Sequence, residues 1–178
     1  MVDKAGKEAA VSDYTLRGAT EADLVVILDI YNDAVLHSTA TFDLEPRSWE
    51  EQQRWFQEHR PPYAVFVATA GDTVAGWGSL SPFRPRPGYR FTAEDSIYVR
   101  QDFRGRGIGT ALLGLLVDAA SRGRFHTVMA LIDGDNALSI RLHERFGFRH
   151  VGTFGEVGFK FGRWLDVVHM QRMVELTP

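Results

Sequence analysis

Residues 104–110 read Arg-Gly-Arg-Gly-Ile-Gly-Thr, and this run constrains the fold more than any other stretch of the chain. It follows an extended, apolar-alternating segment, Ser96-Ile97-Tyr98-Val99. It precedes a helical stripe of Ile108, Leu112, Leu115, Leu116 and Ala119. Glycines let a backbone adopt positive φ and approach an anion closely. Free N–H groups at the start of a helix, aligned with its dipole, then favour a phosphate. Arg104 and Arg106 add charge. The loop is not a P-loop, which requires GxxxxGK[ST], because no Lys is present here. Nor is it the dinucleotide fingerprint GxGxxG, since the spacing is GxGxG and lies mid-chain.

Around this turn the periodicity predicts β-α-α-β-β-β-α-β-α-β-β, a mixed α/β domain over residues 13–178. A flexible leader is expected over residues 1–12. Thr20 with Asp23, and Ser48 with Glu51, are spaced as capping boxes. Asn136 caps a helix that Gly147 ends, and Gly123 ends the helix after the phosphate loop. The last two strands, Phe148–Phe154 and Trp164–Val174, are expected to be joined by a Gly-rich aromatic loop.

Composition removes several classes of chemistry. The chain of 178 residues has no Cys, so thiol catalysis and Cys-ligated zinc are excluded. Its six His lie at spacings that form no HxH or HxxxH pair, so no metal site is expected. The net charge of −3 argues against a nucleic-acid partner. No apolar run approaches the length of a membrane span, and a cytoplasmic protein is expected. The acidic total hides a local basic stretch. From Arg84 to Arg106 there are six Arg against the three acids Glu94, Asp95 and Asp102.

The pattern Arg104-x-x-Gly107-x-Gly109 resembles the RxxGxG loop with which the GNAT superfamily of N-acetyltransferases binds the pyrophosphate of acetyl-CoA. Asp135-Asn136 through Gly147-Phe148 is similar to the superfamily's downstream helix. Four further blocks narrow the resemblance. Ser38-Thr39-Ala40-Thr41-Phe42 is similar to the phosphinothricin N-acetyltransferases, and Tyr31–Leu36 to the methionine sulfoximine/sulfone acetyltransferases. Phe83–Val99 and Gly158–Asp166 also match this family, the latter nearer its sulfoximine branch. The resemblance spans roughly Leu16 to Val174. It implies the GNAT acyl-CoA N-acyltransferase fold, a mixed, mostly antiparallel twisted sheet flanked by helices.

The resemblance also implies roles. Acetyl-CoA would be held by the backbone of Ile97, Tyr98 and Val99, by residues Arg104, Gly105, Arg106, Gly107, Ile108, Gly109 and Thr110, and by Asn136 and Ser139. Glu94 matches the family's base, with Asp95 as the rival acid on the opposite strand face. Arg84 and Arg86 would meet the acid group of a small amino acid, as a planar guanidinium suits. Phe42, Tyr89 and Phe159 would wall its side chain. His143 would either aid proton transfer or simply pack. A homodimer using the Phe159–Trp164 segment is expected. The acceptor stays open between phosphinothricin and methionine sulfoximine or sulfone. A protein N-terminal acetyltransferase and a non-catalytic acyl-CoA sensor remain alternatives.

Overall fold

A computed structural model describes residues 13–174, so the leader expected over residues 1–12 lies outside the described residues. The elements are β1 (Thr15–Gly18), α1 (Leu24–His37), α2 (Trp49–Glu58), β2 (Val65–Ala70), β3 (Thr73–Pro82) and β4 (Thr92–Val99). Then follow α3 (Ile108–Arg122), β5 (Thr127–Asp133), α4 (Ala137–Arg145), β6 (Arg149–Lys160) and β7 (Arg163–Met173). This is the order the periodicity predicts. The strands form one seven-stranded sheet in the order β1-β2-β3-β4-β5-β7-β6. Every neighbouring pair is antiparallel except β4 with β5.

That parallel pairing is short. It couples Thr92, Ala93 and Glu94 to Thr127, Val128 and Met129. β4 runs on to Val99 and β5 to Asp133, each bonded along its other edge, to β3 and to β7. Between these two continuations the sheet opens into a wedge.

Helices cover both faces. α1 buries Leu24, Ile27, Ile30, Tyr31, Ala34 and Val35 at helical spacing. These pack on Val65, Val67, Val74 and Trp77 of β2 and β3. α3 covers the opposite face with Ile108, Leu112, Leu113 and Leu116. A fully buried side chain of this size contributes roughly 1.5–3 kcal/mol. Gly78 makes room for that contact, since a Cβ there would lie 3.1 Å from Leu116 Cδ1. α3 ends differently from expectation. Gly123 keeps a right-handed φ of −74°, and Arg124 takes the positive one, 58°. Gly123 is small for another reason: a Cβ would sit 3.0 Å from the Phe125 ring.

The loop expected between the last two strands is mostly strand. β6 continues to Lys160, with an irregularity between Phe154 and Gly158. The connection shrinks to Phe161 and Gly162, with φ of 51° and 73°. Two successive positive φ values match the twist of a tight hairpin turn.

Both expected capping boxes form. Ser48 Oγ accepts from Glu51 N–H at 3.2 Å, and Glu51 accepts from Ser48 N–H at 2.8 Å. Asp23 accepts from Thr20 N–H at 2.8 Å and from both Arg17 Nη atoms at 2.7 Å. A 3-10 turn over Glu21–Asp23 precedes α1, so the α-helix proper starts later than Thr20 implies. The Arg17 bond holds the Asp23 carboxyl down at about 2, against the opposing effect of burial. A depressed carboxyl stabilises the fold above its ordinary pKa and loses that stabilisation as pH falls through the depressed value. Asp23→Asn should therefore cost about 1 kcal/mol at pH 7. Its urea midpoint should converge on that of the wild type between pH 4 and pH 2.

Candidate active site

The wedge between β4 and β5 opens into a cavity of about 1190 Å³. Its walls are the β4 edge at Ile97–Val99, the loop from Arg100 to Gly109, and the first turns of α3 and α4. Gly105 and Gly107 have φ of 78° and 81°, and Gly107 is the N-cap of α3. A side chain at either position would be strained. A Cβ at Gly105 would meet nothing within 4 Å, so the backbone there faces open space. The start of α3 thus presents free N–H groups and the positive end of its dipole to the cavity, a setting for phosphate.

Arg104, Ile108, Thr110, Asn136 and Ser139 also line this cavity. Arg104 is anchored by an Nε bond to Val99 O at 3.2 Å. Asn136 caps α4, its Oδ1 accepting from Ser139 N–H at 3.1 Å. Arg106 is turned away. Its Nη2 donates to Asp102 O at 3.1 Å and its guanidinium lies over Phe103. Arg100, Arg145 and Arg163 line the cavity as well, three cations that the motif does not reveal.

A second cavity of about 380 Å³ lies toward α1 and α2. The two share Thr39, Ala40, Ile97, Tyr98, Asp133, Asn136, Ser139 and His143, and so meet in the wedge. Glu94 lines the smaller cavity. Burial first, and the neighbouring Asp95 charge second, push its carboxyl up to about 7, with Arg84 opposing. Phe42 stands in the wall, its ring seated on Gly158, where a Cβ would leave it no room. Lys160 Nζ donates to Thr41 O at 2.8 Å, and the Thr39 hydroxyl donates to Asp133. The hairpin and β5 together hold this loop in place.

Other expected substrate residues lie outside both cavities. Arg84, Arg86 and Tyr89 are exposed on the loop between β3 and β4. Tyr89 packs edge-on against Phe83 at 5.7 Å. Phe159 packs on Trp164 and is 54% exposed. Arg47, Trp55, Trp77 and Ser81, which the motifs did not single out, line the smaller cavity instead.

Strand alternation separates the two acids of β4. Asp95 points to α4, where its Oδ2 meets His143 Nε2 at 3.0 Å. Both side chains are at least 95% buried. His143 Nδ1 lies 2.8 Å from Ser139 O, so both ring nitrogens face oxygen acceptors. Burial opposes a charged ring here, but the bond and charge of Asp95 outweigh it and raise the His143 pKa. Among the described residues no cluster of His, Asp and Glu is arranged to hold a metal. None of their helices is long and apolar enough to cross a membrane.

Comparison with known proteins places this geometry. The model of the Acetyltransferase (GNAT) family matches residues 28–148. The L-methionine sulfoximine/L-methionine sulfone acetyltransferase of Pseudomonas aeruginosa is 43% identical over 165 residues, covering 92% of this chain and 96% of that one. The phosphinothricin N-acetyltransferase of Streptomyces coelicolor is 41% identical over 165 residues, with 90% and 96% covered. A crystal structure of a phosphinothricin acetyltransferase from Sinorhizobium meliloti in complex with AcCoA superposes with a TM-score of 0.88 at 41% identity. It covers 91% of this chain and 89% of that one. A glycine-rich turn at the head of α3, a wedged sheet behind it and these relatives agree: the chain is an N-acetyltransferase and belongs to the GNAT family.

Proposed function

We propose that the protein transfers acetyl from acetyl-CoA directly to the α-amine of a small amino acid of the phosphinothricin or methionine sulfone type. The observation that carries this reading is the meeting of the two cavities, with a carboxyl poised near neutrality in the smaller one. The larger cavity fits acetyl-CoA. The Gly105–Gly109 turn and Arg104 suit its pyrophosphate, and the unpaired edge of Ile97–Val99 suits its pantetheine amides. Asn136 and Ser139 line the same path. When bound, acetyl-CoA supplies the activated acetyl group.

Glu94 takes the proton from the acceptor's ammonium. A free α-amine has a pKa of roughly 7.7–8.0, so a base near 7 is well matched. Arg84, whose charge acts on Glu94, receives the α-carboxylate beside the amine. Phe42, in the wall of the smaller cavity, packs on the acceptor's side chain. His143, with both ring nitrogens engaged, holds α4 against β4 and does not carry the proton. No Cys exists to store the acetyl group, in keeping with direct transfer. A cavity of about 380 Å³ suits an amino acid better than a protein N-terminus.

The β6–β7 hairpin gives the homodimer its surface. Phe154, Val157, Phe159, Phe161 and Trp164 are each more than half exposed there. Such an apolar patch marks an interface.

Glu94→Ala should lower kcat at pH 7 by about 10²- to 10⁴-fold while acetyl-CoA still binds. A wild-type rate would remove Glu94 from the role. The base works only when deprotonated, so kcat/KM should fall as pH drops below about 7. Asp95→Asn removes a charge that raises Glu94, and should move that fall to lower pH. Sedimentation equilibrium should give a dimer for the wild type and a monomer for Trp164→Glu. A wild-type monomer, or an unchanged variant, would exclude this interface.

A further inference from the structure

The smaller cavity is lined by an arginine, Arg47, that forms no ion pair among the described residues. Arg47 lies just before α2, and its main chain is clamped by Asn32 of α1. Arg47 N–H donates to Asn32 Oδ1 at 2.8 Å, and Asn32 Nδ2 donates to Arg47 O at 3.0 Å. Its guanidinium sits 4.1 Å from the Tyr31 ring centre and 5.3 Å from that of Trp55. Nη1 donates to Oε1 of Gln52, a residue wholly buried, at 3.0 Å. Among the described residues no carboxylate lies within ion-pair distance of it. All its direct partners are neutral, yet they fix the side chain at both ends.

A guanidinium carries five N–H groups in a planar fork. Fixed by aromatic faces and a buried amide, this one has already lost the freedom that binding an anion would otherwise cost it. Two cations stand near Glu94's cavity, Arg47 in its lining and Arg84 on the exposed loop between β3 and β4. The charge of Arg84 acts on Glu94. That of Arg47 acts on Tyr31, Tyr98, His59 and the exposed Glu51. An amino acid whose amine meets Glu94 keeps its α-carboxylate on the Arg84 side, so its side chain points down the cavity.

We infer that Arg47 receives the far end of that side chain and selects acceptors that carry an anion there, a phosphinate or carboxylate, over neutral acceptors of the same length. This inference rests on the proposed function and narrows its substrate class. Phosphinothricin ends in an anionic phosphinate, whereas methionine sulfone ends in a neutral sulfone, so the pair isolates the charge.

The test is kcat and KM for both acceptors with the wild type, Arg47→Gln and Arg47→Lys. The wild type should favour phosphinothricin. Arg47→Gln should reduce the ratio of kcat/KM for phosphinothricin over methionine sulfone by about 10- to 100-fold, as loss of a charge-assisted hydrogen bond does. The change should lie in KM for phosphinothricin. Arg47→Lys, which keeps charge without the fork, should restore part of the ratio. If both acceptors are turned over and Arg47→Gln weakens them equally, or leaves the ratio unchanged, Arg47 is structural and the inference fails alone. If the wild type turns over neither, the proposed function fails and the inference falls with it.

Discussion

The parallel ladder between β4 and β5 stops after Glu94 and Met129, and the site exists because it stops there. Two strands that leave a common ladder and stay bonded to different neighbours must diverge, and their facing edges lose their partners. In most sheets such edges are a liability. Here the β4 edge at Ile97–Val99 borders the larger cavity and the β5 residues Ala130, Leu131 and Ile132 border the smaller one. The same divergence lets the smaller cavity open through the sheet from the α1 side, so the two meet at Thr39, Ile97 and His143. Helix α3 closes the wedge at one end and turns its N-terminus toward it. Gly107, in the left-handed conformation, sets that direction.

The electrostatics follow from strand geometry. Adjacent residues on β4 point to opposite faces, so Glu94 and Asp95 share a peptide bond and yet serve different surroundings. Asp95 is tied to His143 beneath α4. Glu94 is left half-buried in the smaller cavity, and the Asp95 charge helps to push it up to about 7. A buried ion pair is weak as a source of stability. In this site its Asp95 member places a carboxyl group one residue from the proposed base. Arginine completes the balance: the charge of Arg84 acts on Glu94, Arg47 lines the smaller cavity and Arg104 lines the larger one.

Much of this was legible in local chemistry. Strand–glycine–helix spacing located the glycine-rich turn at the head of α3, and capping residues located α1, α2 and α4, because each signal acts over a few neighbouring residues. What depends on long-range packing was not legible. Arg47 shows no motif; its importance comes from Asn32, Tyr31, Gln52 and Trp55, brought together by the crossing of α1 and α2. Arg106 looks like a phosphate ligand by spacing, but Phe103 and Asp102 hold it back. Tyr89 and Phe159 have the right character for a pocket wall, yet their rings pack on Phe83 and Trp164 at the surface. The hairpin turn at Phe161-Gly162 was hidden because the glycines before it read as loop, although they belong to an irregular strand.

Direct transfer requires both substrates to occupy the joined cavities at once. Initial rates with acetyl-CoA varied at several fixed concentrations of phosphinothricin, followed by release of free CoA, test this most directly. Intersecting double-reciprocal lines are the expected result. Parallel lines, together with acetyl label retained on the protein after acetyl-CoA is removed, would contradict it.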